Sequence, residues 1–158
     1  MKNMFKVIAS MACALALVAC GGGSKNDTPT TTIPPQPAFT KTDTQVGSGS
    51  VEAANGDLVS VHYTGYLYSD TAADKKGTKF ESSHDGANTP FAFTLGRGSV
   101  IVGWDQGIPG MKVGGKRTLL IPASMAYGAS ERKDASGNVI IPANTALVFD
   151  VEMVAISR

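Results

Sequence analysis

The chain predicts an α+β fold, one antiparallel sheet packed on a single short helix, and three observations carry that prediction. Apolar residues alternate in several short runs, the pattern of half-buried strands, and clusters of glycine, asparagine, aspartate and serine separate them. One segment breaks the alternation, with Ile101, Trp104 and Ile108 at i, i+3 and i+7, so that all three share one side of a helix of about two turns ended by Pro109-Gly110. The length of 158 residues with 42% hydrophobic residues suits one modest domain and excludes a two-domain enzyme. A formal net charge of +1 argues against nucleic-acid binding, which draws on a basic surplus to neutralise phosphates.

Residues 1–19 read as an export signal, with Lys2 and Lys6 ahead of the apolar stretch Val7 to Val18. That stretch is shorter than the roughly 20 apolar residues a spanning helix needs. It ends in Leu17-Val18-Ala19-Cys20, which resembles the lipobox of bacterial lipoproteins. The resemblance implies cleavage before Cys20, acylation of its thiol and a lipid anchor in the cell envelope. Gly21 after the cysteine resembles the outer-membrane default of a Gram-negative cell, so the expected location is the outer membrane, facing the periplasm. Processing would remove Lys2 and Lys6 from the 14 basic residues and no acid, leaving 12 against 13 and a slightly acidic mature chain. Cys13 leaves with the signal and Cys20 is blocked by lipid, which excludes disulfide and thiol chemistry.

Residues 20–40 hold the lipidated cysteine and a tether rich in Gly, Thr and Pro, too poor in large apolar residues to offset the entropy of ordering. The domain is expected over residues 41–158. Val59, Val61 and Tyr63 alternate on one strand, Arg117, Leu119 and Ile121 on another, and Leu147, Phe149, Val151 and Met153 on the last, with Asp150 and Glu152 on its opposite face. His62 falls out of phase with Val61 and Tyr63 and is expected on the solvent side.

Motifs for other chemistries fail on position. Gly110 to Arg117 has phosphate-loop spacing of glycine and lysine but carries Arg117 where a hydroxyl should hold magnesium, and it runs from helix to strand, the reverse of the required order. His62 and His84 are the only histidines and lack a metal-ligand pattern, so neither metal nor cofactor is expected. No nucleophile elbow occurs.

What remains is aromatic. Tyr63, Phe80, Phe91, Phe93, Trp104, Tyr127 and Phe149 are spread over the strands, helix and one loop, and on spacing alone a hydrophobic core accounts for them. Their surroundings add more: Val61-His62-Tyr63-Thr64-Gly65, Lys79-Phe80-Glu81-Ser82-Ser83, Pro90-Phe91-Ala92-Phe93, Val100-Ile101-Val102-Gly103-Trp104, Ala126-Tyr127-Gly128, Ile141-Pro142 and Leu147-Val148-Phe149-Asp150 follow in this order. Together these blocks resemble the FKBP-type peptidyl-prolyl cis-trans isomerases, the immunosuppressant-binding immunophilins, over nearly all of residues 41–158.

The resemblance implies a five- to six-stranded antiparallel sheet wrapped around one short helix, with a shallow apolar pocket between them. Trp104 would form the pocket floor, and Phe80, Phe91, Val100, Ile141 and Phe149 would line it together with Tyr63, Ile101 and Tyr127. The Ile101 N–H and Tyr127 hydroxyl would bond ligand carbonyls, and Glu81, where the family usually has aspartate, would pair with the Tyr63 hydroxyl. The implied activity is rotation of X-Pro bonds in exported proteins, with proline-containing polypeptides as partners and macrolide immunosuppressants as inhibitors. The alternative is a weakly active proline-recognising binding or chaperone module tethered to the membrane. The helical arm that dimerises some relatives has no counterpart before residue 41, so a monomer is expected. Two segments depart from compact members: Ser69 to Gly77, read as a surface loop, and Gly128 to Asp134, from which no functional residue is carried over.

Overall fold

The computed structural model describes residues 33, 34 and 36–158. The expected signal, Cys20 and most of the tether lie outside the described residues. The chain runs through β1 (Thr40–Gln45), β2 (Leu58–Tyr68), β3 (Lys76–Ser82), β4 (Phe91–Thr94), helix α1 (Val102–Gly107), β5 (Lys116–Ile121), a 3-10 turn at Ala123–Met125, β6 (Arg132–Lys133), β7 (Val139–Ile141) and β8 (Leu147–Ser157). The main sheet has six strands in the order β1-β5-β8-β2-β3, with β4 sharing the edge of β2 below β3, and every pairing is antiparallel. β6 and β7 form a separate hairpin.

The alternation read from the sequence places the core. Val59 and Val61 on β2, Leu119 and Ile121 on β5, and Leu147, Phe149, Val151 and Met153 on β8 are all buried on the face that α1 covers. Burying each such side chain contributes about 1.5–3 kcal/mol, so this one face supplies most of the fold's cohesion. Ser60, His62, Thr64, Asp150 and Glu152 take the opposite face. There Lys76 meets Asp150 at 2.6 Å and Lys116 meets Glu152 at 3.1 Å, while His62 stacks on His84 with ring centroids 4.3 Å apart.

The helix lies where the apolar spacing put it and stops before Pro109. Ile101 is its N-cap and Ile108 its C-cap, so of the three spaced residues only Trp104 lies within it. Gly103 and Gly107 let the helix press against β5. A Cβ at Gly103 would meet Ile121 Cγ2 at 2.5 Å, and one at Gly107 would meet Leu119 Cδ2 at 2.7 Å. Asp105 faces outward and accepts hydrogen bonds from the Gly96 and Gly98 amides at 2.9 and 3.0 Å, tying the preceding loop to the helix.

Two loop expectations change. Lys76 and Gly77 belong to β3, and Ser69 to Lys75 form its hairpin turn with β2, closed by Ser69 N–H donating to Lys75 O at 2.9 Å. Gly128 to Asp134 is not wholly a loop, because Arg132 and Lys133 form β6. At the N-terminal side, contacts with the domain begin before residue 41. Thr40 opens β1, Phe39 packs on the core, and the Gln36 side chain accepts from Ala123 N–H at 2.8 Å and donates to Asn144 O at 2.9 Å.

Candidate active site

Three local arrangements build the site. On β2, alternation turns Tyr63 toward α1, and Ser82 and Ser83 fix its backbone: Tyr63 N–H donates to Ser83 Oγ at 2.9 Å, and Tyr63 O accepts from Ser83 N–H at 3.0 Å and Ser82 Oγ at 3.0 Å. That clasp also sets Glu81 beside the same strand. The Asp105-held loop delivers Ser99, Val100 and Ile101 to the helix start. The 3-10 turn after β5 carries Tyr127 in behind them.

Between these parts lies a cavity of about 240 Å³ lined by Tyr63, Glu81, Phe91, Ser99, Val100, Ile101, Trp104, Tyr127 and Phe149. Trp104 is its floor, 4% exposed. Tyr63 and Phe149 stand edge to face against the indole, with centroids 5.1 and 5.3 Å away and planes at 77° and 85°, and Phe91 closes a further side at 6.2 Å and 72°. Edge-to-face aromatic pairs add about 0.5–1.5 kcal/mol beyond area burial and hold each ring in one orientation, so the walls are set before a ligand arrives. The indole Nε1 is buried without a hydrogen-bond partner among the described residues. An unmet donor costs about 1–3 kcal/mol, which phenylalanine in a purely structural role would avoid.

Eight of the ten expected site residues line this cavity. Phe80 and Ile141 do not. Phe80 stands behind Phe149, ring centroids 5.7 Å apart and planes at 88°, and Ile141 is 2% exposed within the core. Ser99 lines the wall and was missed; its only sequence signal is its place directly before Val100-Ile101. Arg132 was also missed, and its guanidinium lies 5.1 Å from the centre of the Tyr127 ring.

The polar groups are few. Burial raises the Tyr63 hydroxyl pKa above the usual tyrosine value, and the charge and hydrogen-bonding capacity of Glu81 raise it further. Glu81 and Tyr63 line the same cavity, and no hydrogen bond within 3.5 Å joins the carboxylate to the hydroxyl. Glu81 is exposed and one methylene longer than aspartate, which lets its head stay in water. Burial also raises the Tyr127 pKa, with Arg132 lowering it and Glu81 raising it. Among the described residues neither the Tyr127 hydroxyl nor the Ile101 N–H makes a hydrogen bond within the protein, which leaves two donors available at one apolar cavity.

A larger hollow of about 330 Å³ is lined largely by the outer face of the sheet, including His62, Lys76, Lys116, Thr118, Asp150 and Glu152. Its lysines and carboxylates are already paired with one another, and Trp104, Phe91 and Phe149 do not line it. The smaller cavity has the walls, the floor and the free donors.

A compact antiparallel sheet over one short helix, with an aromatic cavity at the helix start, defines an immunophilin-type domain. Residues 49–154 match the family model described as FKBP-type peptidyl-prolyl cis-trans isomerase, and the chain belongs to that family of enzymes. An FK506-binding protein of Neisseria meningitidis serogroup A is 46% identical over 114 residues, covering 72% of this chain and 92% of that protein. FK506-binding protein 2 of Candida glabrata is 49% identical over 108 residues, covering 68% of this chain and 71% of its own length. The crystal structure of AtFKBP13 matches with a TM-score of 0.61 at 38% identity, over 76% of this chain and 94% of that one.

Proposed function

We propose that this enzyme turns X-Pro bonds of exported polypeptides in the Trp104 cavity, from a lipid anchor at Cys20 on the outer membrane facing the periplasm. The observation that carries the catalytic part is the indole floor boxed by Tyr63, Phe91 and Phe149 beside the unused Ile101 N–H. Rotation about an X-Pro bond faces a barrier of about 18–20 kcal/mol because twisting destroys amide resonance, and uncatalysed exchange takes tens to hundreds of seconds. No bond breaks, so neither a nucleophile nor a metal is called for. The twisted amide is less dipolar than the planar one, and transfer from water into an aromatic cavity therefore favours it over the ground state. The proline ring rests on Trp104 between Tyr63, Phe91, Val100 and Phe149. Ile101 N–H and the Tyr127 hydroxyl hold flanking carbonyls, fixing one side of the bond while the other turns. Tyr63 and Glu81 bound the rotating side, and Phe80 and Ile141 support the walls from behind.

The relatives' names point to FK506 as a ligand, and the same cavity would take it in place of proline. The anchor and the location rest on the lipobox-like Leu17 to Cys20 with Gly21, and a monomer suffices for the site. The test is a protease-free isomerisation assay on an Ala-Leu-Pro-Phe-type peptide. Trp104→Leu with Phe149→Ala should abolish acceleration, and FK506 should inhibit the unmodified protein. An unchanged rate in the double variant would overturn the assignment of the cavity.

A further inference from the structure

The β6–β7 hairpin brings a charge to the cavity that the isomerisation chemistry does not use. Arg132 pairs with Ile141 across the hairpin, is exposed, and lies over the Tyr127 ring at 5.1 Å. The hairpin holds it there. Asp134 Oδ1 accepts from the Ser136 and Asn138 amides at 2.9 Å each, its Oδ2 accepts from Asn138 Nδ2 at 3.0 Å, and Asp134 N–H donates to Asn138 O at 2.9 Å. These bonds close the turn through Gly137 at φ 87°. The neighbouring Lys133 is neutralised by Glu131 at 2.8 Å. Arg132 has no carboxylate within 4.0 Å among the described residues. Its charge nevertheless reaches the site, since it acts on the Tyr127 hydroxyl in the opposite sense to Glu81. Glu81, which lines the cavity, is likewise without a cationic partner among the described residues.

The mouth therefore carries an unpaired cation over Tyr127 and an unpaired anion beside Tyr63. An arginine held over an aromatic face by a cation–π contact still has guanidinium donors for a carboxylate, and the contact limits the rotamer entropy lost on binding. We propose that Arg132 is a specificity-determining residue, which selects proline segments carrying an acidic side chain next to the isomerising bond over otherwise identical segments carrying a lysine there. The proposal rests on the isomerase reading of the Trp104 cavity.

The experiment compares kcat/KM on peptides with Glu, Leu or Lys immediately before the proline, and on a second series with the same three residues immediately after it. In the unmodified protein the Glu-to-Lys ratio should exceed that of Arg132→Ala by about five-fold in at least one series, the scale of one exposed ion pair. Arg132→Lys should restore part of it, and high salt should erase it, because exposed charges are screened. Lys41→Ala on β1 makes the same change in net charge away from the cavity and should leave the ratio unaltered. A ratio equal in the unmodified protein and Arg132→Ala in both series would overturn the proposal while the Leu peptides still report isomerase activity. Loss of activity on the Leu peptides as well would indict the isomerase reading itself. In that event Trp104, the single tryptophan, still reports peptide affinity by fluorescence: tighter binding of Glu than Lys peptides, reversed by Arg132→Ala, would sustain the charge selection, and equal binding would sink it.

Discussion

Arg117 on β5 grips Asp43 on β1 with two hydrogen bonds, Nε to Oδ1 at 2.6 Å and Nη2 to Oδ2 at 3.0 Å, while its Nη1 donates to Gly107 O at 2.6 Å and Pro109 O at 3.1 Å. One guanidinium, 7% exposed, thus joins the edge strand to the end of the helix whose start forms the cavity floor. Arg117→Ala removes the donor to the Gly107 and Pro109 carbonyls at and just after the end of α1 and should cost about 3 kcal/mol, as removal of one partner from a buried charge network does. Asp43 is half exposed, so Asp43→Asn should cost less, about 1 kcal/mol. Urea denaturation measures both. The Arg117 hydrogen bond and charge hold the Asp43 pKa below its ordinary value, so the stability it contributes is full above the unfolded carboxylate pKa and is lost as pH falls through the lower folded value. Asp43→Asn should flatten that acid limb, and an unchanged limb would show the pairing to be inert.

Gly65 is the second lever on the site. A Cβ there would stand 2.5 Å from Phe80 Cζ and 2.9 Å from Phe149 Cε1, so the two rings meet only because β2 has no side chain at that point. Gly65→Ala should push both rings off their edge-to-face geometry, costing about 2 kcal/mol as overpacking does. Because Phe149 also lines the cavity, kcat/KM should fall about ten-fold or more, the scale of sub-ångström misplacement at a reacting centre. Melting and kinetics on the purified variant check both. A stability loss with unchanged kcat/KM would place the Phe149 ring outside the binding surface.

What the sequence made legible follows the physics of each signal. Alternation at period two located β2, β5 and β8 because their inner residues face one core, and it turned His62 outward correctly. Apolar spacing located the short helix as well, with Ile101 and Ile108 as its caps, but it does not register Gly103 and Gly107, whose closeness to β5 apolar periodicity cannot show. The blocks around Tyr63, Trp104 and Phe149 identified most of the cavity wall. Ile141 lies in the core at the end of β7, 2% exposed, a depth that the Ile141-Pro142 pair does not reveal in the sequence. Arg132 was invisible for another reason: it reaches Tyr127 only through the fold of a charged hairpin, and a run such as Glu131-Arg132-Lys133-Asp134 reads as solvated surface until the turn at Asp134 is seen.

The two cavity tyrosines give the site an alkaline signature. Burial is the main cause of the raised pKa at both Tyr63 and Tyr127. A raised folded pKa means the stabilisation is fully present below the unfolded tyrosine value of about 10 and is lost as pH rises through the folded values. Activity should therefore show no tyrosine limb below pH about 10, and melting temperature should decline above it. Tyr63→Phe should soften that decline. Glu81→Gln should lower the Tyr63 midpoint without restoring it fully, because burial remains. Ultraviolet titration of tyrosinate in the folded protein reads the midpoints directly, and an unmoved curve in Glu81→Gln would show that the carboxylate does not act on the hydroxyl.

The proposed anchor can be separated from catalysis. Acylation requires the Cys20 thiol, whereas the first described contacts with the domain begin at Gln36, which bonds Ala123 and Asn144. Cys20→Ser should move the protein from the membrane fraction to the soluble one with kcat/KM on a soluble peptide unchanged, since no cavity residue depends on that thiol. Gln36→Ala should do the reverse, leaving the protein membrane-bound while loosening Ala123 and, four residues on, Tyr127, seen as a drop in kcat/KM of a few-fold, the scale of one side-chain hydrogen bond. If Cys20→Ser stayed with the membranes, another segment would have to hold it there, and the lipobox reading of Leu17 to Cys20 would fall.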